Sequence, residues 1–147
     1  MDIKRGCALL ALLFFLCALL GCGQAAPVID LTDGLFALHV IDVGQSEGLL
    51  LKYPDGRAAL VDAGVKDAGP EVCAYIREVG VRSLALVVGT HAHDDHLGGI
   101  PEVLRRFSAD RLRLPELSYS DPLSNAAAWS DAELIAVKAG DYLEGGA

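Results

Sequence analysis

The sequence is short of cysteines that could pair with one another. Of its four cysteines, Cys7 and Cys17 lie in an apolar leader and Cys22 directly follows that leader, which leaves Cys73 alone in the body of the chain. No intramolecular disulfide is therefore available, and we expect Cys73 to be a small buried side chain. The fold must rest on an apolar core, and 147 residues suffice for one modest domain.

Basic residues are scarce as well. Twelve lysines and arginines stand against 20 aspartates and glutamates, which gives a formal net charge of −8. Broad binding of a phosphate backbone needs a basic surface, so an acidic chain is poorly suited to it. A nucleotide or nucleic acid held mainly by metal ions is compatible with this charge. The sequence also contains no internal repeats and no low-complexity tract.

The first segment, 1–21, is predicted to be a signal peptide. Lys4 and Arg5 precede a nearly uninterrupted apolar run. The run ends in Leu-Leu-Gly-Cys, which resembles a bacterial lipoprotein cleavage box, so Cys22 is the predicted lipidation site. An uncleaved membrane anchor is the alternative, because the run is close to the ~18 residues that a span requires. Both interpretations place the domain outside the cytoplasm, either anchored to the membrane or secreted, because the basic residues stay inside.

The rest of the chain divides into a tether, 22–34, and a domain, 35–147. Proline, glycine and aspartates interrupt any periodicity in the tether. Apolar runs then predict strands at 35–42, 48–53, 58–62, 84–88, 111–114 and 134–137, with helices at 70–80 and 100–107. Strands interleaved with helices indicate a layered α/β domain. The stretch 121–129 has no clear pattern, and Asp131 is expected to cap a short helical turn.

A cluster of histidines is the most informative feature of the chain. Three of the four histidines, His91, His93 and His96, fall within six residues, and Asp95 directly precedes the last of them. Imidazole nitrogen and carboxylate oxygen are ligands of zinc and similar ions. The spacing lets His91 and His93 converge on one ion and directs Asp95 and His96 to a second ion beside it. A solvated polar loop is the ordinary alternative, and it is the weaker one for four such residues after the apolar strand 84–88.

These four residues match the His-x-His-x-Asp-His signature of the metallo-β-lactamase fold. Two upstream strands extend the resemblance. The segment 38–45 is similar to the LDVGQGD strand of the ComEC-type DNA-uptake competence branch, and 60–64 is similar to the family's LIDAG strand. The resemblance covers about residues 35–146. It implies a four-layered αββα sandwich, of which this chain would form the N-terminal part, with the metal site at one sheet edge.

The resemblance also implies a role for each residue of the site. His91, His93, Asp95 and His96 would be ligands of two zinc ions, with manganese as the alternative metal, and Asp95 would be the catalytic carboxylate. Asp62 would support the loop by hydrogen bonding rather than by ligation. From the sequence alone, an ordinary aspartate at a strand end accounts for Asp62 equally well.

The chain departs from the family pattern in two places. Where the family has Gly-Asp after the glutamine, this chain has Ser46-Glu47, whose carboxylate is one methylene longer. In the family, later histidines and a bridging aspartate complete the two ligand sets, whereas no histidine follows His96 here. Each ion would have only two strong ligands, although a catalytic zinc normally has three. We therefore expect the chain to be part of a longer hydrolase.

The function that follows from these features is metal-dependent hydrolysis outside the cytoplasmic membrane. The resemblance to the competence branch favours a phosphodiester substrate, including DNA, and another ester is the remaining option. The alternative function is a truncated, catalytically inactive module, anchored by a lipid, that binds metal or a partner.

Overall fold

A computed structural model describes residues 34–116 and 121–142. Within these ranges the strands form one six-stranded sheet in the order β1-β2-β3-β4-β5-β6. The strands are β1 Ala37–Val40, β2 Leu49–Lys52, β3 Ala58–Val61, β4 Leu86–Val88, β5 Arg111–Pro115 and β6 Glu133–Val137. The helices are α1 Gly69–Glu78, the single turn α2 Asp94–Leu97, α3 Ile100–Arg106 and α4 Asp121–Ser130, and Lys66–Ala68 forms a 3₁₀ turn. The predicted signal peptide, Cys22 and nearly all of the tether lie outside the described residues.

The direction of the strands determines where the loops meet. The pairs β1–β2 and β2–β3 are antiparallel, whereas β3 to β6 run parallel. Because β1 and β3 point the same way, all strands except β2 end at the same edge of the sheet. Right-handed crossovers between successive parallel strands place their helices on one face. Consistent with this rule, α3 lies between α1 and α4 and contacts both.

The apolar core lies between the sheet and these three helices. The strand side chains that face the helices are fully buried, and they include Leu50, Leu60, Val87, Leu112 and Leu114. Helix α1 has a proline in its first turn and buries one side, Val72, Cys73 and Ile76. The helix predicted at 70–80 is confirmed, and so is the buried position of its cysteine.

The opposite face of the sheet is partly uncovered. Leu38 is 57% exposed, Val40 76% and Ile135 40%. The strand register also places Arg113 on this face, in one row with Val40 and Ile135. Arg113 donates a hydrogen bond of 2.9 Å to the carbonyl oxygen of Glu133 on β6. Among the described residues, none of the helices is long and apolar enough to cross a membrane.

The chain after β5 differs from what the sequence predicts. Residues 121–130 form helix α4, which buries Leu123, Ala126 and Ala127 and contacts α3. Three small or apolar residues make too short a stripe to be recognised among serine, asparagine and proline. The prediction that Asp131 caps a helical turn is wrong, because Asp131 follows α4 with a φ of 55° and leads into β6.

Candidate metal centre

Three loops meet at the sheet edge where β1, β3 and β4 end, and we call them the first loop, the second loop and the histidine loop. They span 41–48, 62–65 and 89–99. Main-chain hydrogen bonds join them to one another. The amide of Gly64 donates to the oxygen of Glu47 at 2.8 Å, Ala63 donates to His96 at 2.9 Å, and Gly99 donates to Gly64 at 3.0 Å. The backbone of each loop is therefore held by another.

Glycines allow the histidine loop to lie directly on the second loop. A Cβ at Gly98 would lie 2.5 Å from the oxygen of Asp94 and 2.5 Å from the nitrogen of Lys66. A Cβ at Gly99 would overlap the carbonyl oxygen of Ala63. The glycine pair that follows the last histidine is thus a requirement of close backbone contact.

Asp62 lies at the centre of these contacts. Asp62 is 1% exposed, and its φ of 56° is a conformation that residues other than glycine rarely adopt. One carboxylate oxygen, Oδ1, accepts a 2.8 Å hydrogen bond from the amide of Thr90. The other, Oδ2, accepts from the Thr90 hydroxyl at 2.7 Å and from Nδ1 of His96 at 2.8 Å. Asp62 therefore supports the histidine loop through hydrogen bonds.

His91 and His93 turn their rings toward each other. Nε2 of His91 and Nδ1 of His93 are 3.1 Å apart, and the ring centroids are separated by 4.5 Å. Two imidazole nitrogens this close together can supply half of one tetrahedral ligand set. The first pair of predicted ligands is therefore brought together.

Asp95 and His96 form a second pair beside the first. Oδ2 of Asp95 lies 3.7 Å from Nε2 of His96. The other ring nitrogen of His96 is engaged by Asp62, so Nε2 is the one left for a ligand. The backbone is extended at His93 (φ −112°, ψ 146°), and helix α2 begins at the next residue. This change from extended to helical backbone separates the pair His91 and His93 from the pair Asp95 and His96. The rings of His91 and His96 remain close, with centroids 3.9 Å apart.

Glu47 adds a carboxylate that the sequence analysis did not assign to the site. Its amide donates to the carbonyl oxygen of Asp95 at 3.3 Å, and its Oε2 lies 3.8 Å from Nδ1 of His96. Ligand atoms of Glu47, Asp62 and His96 all lie within 4.8 Å of one another, a spacing that suits a cation on the Nδ1 side. An ion there would displace the hydrogen bond between Asp62 and His96, whereas an ion at Nε2 leaves that bond intact. The geometry therefore favours the Nε2 side.

The electrostatic surroundings act on the same histidine. The hydrogen bond with Asp62 raises the pKa of His96 above its ordinary value, and the charges of Asp62, Asp95 and Glu47 add to the increase. Loss of solvent contact acts in the opposite direction. Because a proton and a metal ion compete for the same imidazole, metal binding at this site should weaken as the pH falls.

Other polar residues near the strand ends do not join the cluster. Asp42 is exposed, and its Oδ1 accepts a hydrogen bond from the nearby amide of Gly44 at 3.2 Å. His39 faces α1, where its Nδ1 lies 2.9 Å from the hydroxyl of Tyr75. The role of Thr90 was missed in the sequence, although a hydroxyl residue directly before the first histidine was a visible signal.

The donor set fits the ions of hydrolytic centres. One loop presents two imidazole nitrogens as a pair and a carboxylate with a third imidazole beside them. This chemistry suits zinc. A dense network of backbone hydrogen bonds holds the loop in place.

Comparison with known proteins identifies the family to which this fold and site belong. Residues 41–123 match the model of the Metallo-beta-lactamase superfamily. The chain belongs to this superfamily, whose fold generally binds zinc. The predicted fold class is thereby confirmed.

Individual relatives are similar over limited stretches. The hydroxyacylglutathione hydrolase of Synechococcus sp. (strain CC9605) is 33% identical over 87 residues, which are 54% of this chain and 33% of that protein. The hydroxyacylglutathione hydrolase of Stenotrophomonas maltophilia (strain R551-3) is 41% identical over 61 residues, 42% of this chain and 22% of that protein. The structure of MEM-A1, a subclass B3 metallo-beta-lactamase from a soil metagenome library, is 25% identical with a TM-score of 0.50, over 55% of this chain and 31% of that one. The chain thus spans a third or less of these relatives.

Proposed function

We propose that this protein hydrolyses an ester-type bond and that the histidine loop is its metal site. The pairwise convergence of ligand atoms carries the proposal. Nε2 of His91 faces Nδ1 of His93 at 3.1 Å, and Oδ2 of Asp95 faces Nε2 of His96 at 3.7 Å. Two adjacent pairs can each contribute ligands to one ion of a two-ion hydrolytic centre.

The chain's own residues would hold the geometry for the reaction. Bound ions supply Lewis acidity and an activated water at such a site. Asp62 holds the ring of His96 in place, and the paired histidines define the neighbouring position. The side chain of Asp95 is 47% exposed, so this ligand also reaches solvent. In the proposal Asp95 is therefore the carboxylate that accepts a proton from the attacking water.

Two substrate classes have support. Relatives named hydroxyacylglutathione hydrolase, 33% and 44% identical over parts of the chain, favour an acylated small molecule. The strand 38–45, which resembles the competence-branch motif, favours a phosphodiester, including DNA. A formal charge of −8 disfavours extended contact with a phosphate backbone. We therefore place the acylated small molecule first and the phosphodiester second.

A module that binds metal without turnover is the second candidate function. The observation in its favour is the ligand count. The histidine loop by itself supplies two ligands per ion. A catalytic zinc normally has three protein ligands and one open position.

Turnover and metal content together distinguish these candidates. The full chain, supplied with zinc or manganese, is assayed with a hydroxyacylglutathione and with bis-nitrophenyl phosphate. We expect metal-dependent turnover of at least one substrate that is lost in His96→Ala and retained in the matched variant Asp141→Ala. Bound metal without turnover would contradict the hydrolase and support the binding module. A chain that binds no metal would contradict both.

The apolar leader indicates where the protein acts. We propose that the mature chain begins at a lipidated Cys22 and acts outside the cytoplasmic membrane, as the sequence pattern at 4–22 suggests. Cys22→Ser should then accumulate as a larger, unprocessed precursor. Mass spectrometry that finds a cleaved product with an unmodified Cys22 would refute the proposal.

A further inference from the structure

We propose that Thr90 is a positioning residue that fixes the tautomer of His91 and thereby makes Nε2 the ligand atom of that histidine. Hydrogen bonds among Asp62, Thr90 and His91 carry this proposal. It rests on the proposed function only where it predicts metal affinity.

The first step concerns the proton of the Thr90 hydroxyl. Oγ1 of Thr90 lies 2.7 Å from Oδ2 of Asp62 and 3.1 Å from Nδ1 of His91. An ionised carboxylate only accepts hydrogen bonds, so the hydroxyl must donate its single proton to Asp62. The amide of Thr90 donates to the other oxygen of the same carboxylate at 2.8 Å. Thr90 is therefore held at two points, and its hydroxyl is not free to turn its proton toward the ring.

The second step concerns the ring of His91. The Thr90 hydroxyl has only lone pairs left for it, so Nδ1 of His91 must carry a proton and donate. A neutral imidazole has one N–H, which leaves the lone pair on Nε2. Nε2 is the atom that faces Nδ1 of His93 at 3.1 Å. The Thr90 hydroxyl thus leaves the lone pair of His91 on Nε2, the nitrogen beside His93, where a metal ion would bind.

The third step connects the two pairs of ligands. Asp62 accepts directly from Nδ1 of His96 at 2.8 Å, and it acts on His91 through the hydroxyl of Thr90. The hydroxyl itself is 3.4 Å from Nδ1 of His96, too far to compete with the carboxylate for that proton. One buried carboxylate therefore orients a histidine of each pair, and Thr90 is the relay to the first.

The test replaces the hydroxyl while keeping the shape of the side chain. Thr90→Val removes it, Thr90→Ser retains it, and Ser130→Ala removes a hydroxyl that bonds within α4. Nitrogen-15 NMR of the metal-free full chain at alkaline pH reports which nitrogen of His91 carries the proton. We expect Nδ1–H in the parent, in Thr90→Ser and in Ser130→Ala, and a shift toward Nε2–H in Thr90→Val. Zinc affinity, measured by chelator competition, should fall about tenfold in Thr90→Val and change less than about twofold in the other two.

The possible outcomes separate this inference from the proposed function. An Nε2–H tautomer in the parent overturns the inference without any variant. An unchanged tautomer in Thr90→Val overturns it too, even if zinc affinity falls, because Thr90 would then act through packing alone. A parent that shows Nδ1–H, loses it in Thr90→Val and binds no zinc supports the relay and refutes the proposed metal site.

Discussion

Two aspartates at the same edge of the sheet are held in different ways. Asp62, after β3, is 1% exposed and bonds to residues 28 and 34 positions away. Asp141, after β6, is exposed and accepts from the amide of Lys138, three positions before it. Each of these aspartates lies within two residues of a glycine. Asp62 is part of the candidate site because the fold brings partners distant in sequence to it, whereas Asp141 has a local partner.

Two glycines, one packed against the residue after Asp62 and one directly before Asp141, differ in the same way. Gly99 of the histidine loop lies so close to the carbonyl group of Ala63 that any side chain would overlap it. Gly140 has a φ of 96° and open space where a Cβ would lie, so its turn needs glycine only for local conformation. The region around Asp62 is therefore built by contact between loops, and the turn before Asp141 by local backbone preference.

The largest effect on folding is expected from Asp62→Ala. The variant leaves the amide and hydroxyl of Thr90 and the ring of His96 without their acceptor, which should lower the free energy of unfolding by ~2–4 kcal/mol. Asp141→Ala should change it by less than ~0.5 kcal/mol. Urea unfolding followed by circular dichroism measures both. Equal losses in the two variants would show that the long-range bonds of Asp62 add nothing to stability.

A smaller difference is expected between the two glycines. Gly99→Ala forces the histidine loop away from Ala63 and should cost ~2–3 kcal/mol, in the range of overpacked sites. Gly140→Ala should cost ~1 kcal/mol, the strain of a positive φ in a residue with a side chain. Thermal unfolding of both variants compares them. If Gly140→Ala proves the more damaging, close contact between the loops is not what selects glycine at position 99.

The sequence was sufficient for the elements whose signal is local. The apolar runs located all six strands of the described residues. The spacing of His91, His93, Asp95 and His96 predicted two pairs of side chains, and the structure brings the members of each pair together. Helix α4 was missed because its buried stripe is only Leu123, Ala126 and Ala127.

The parts of the site that could not be predicted depend on contacts distant in sequence. Glu47 approaches His96 because its main chain is bound to Asp95 on one side and Gly64 on the other. The hydroxyl of Thr90 donates to Asp62, 28 positions earlier, and only the fold brings these two residues together. Periodicity and composition carry no information on such pairs.

Metal content of the full chain tests the account most directly. After incubation with zinc and dialysis, elemental mass spectrometry should find two ions per parent chain and two in Asp141→Ala. It should find one fewer in each single alanine variant of the four loop ligands, His91, His93, Asp95 and His96, because each change leaves one ion with a single ligand. The same metal content in the parent and all four variants, or none in the parent, would contradict the proposal that this loop is a two-ion site.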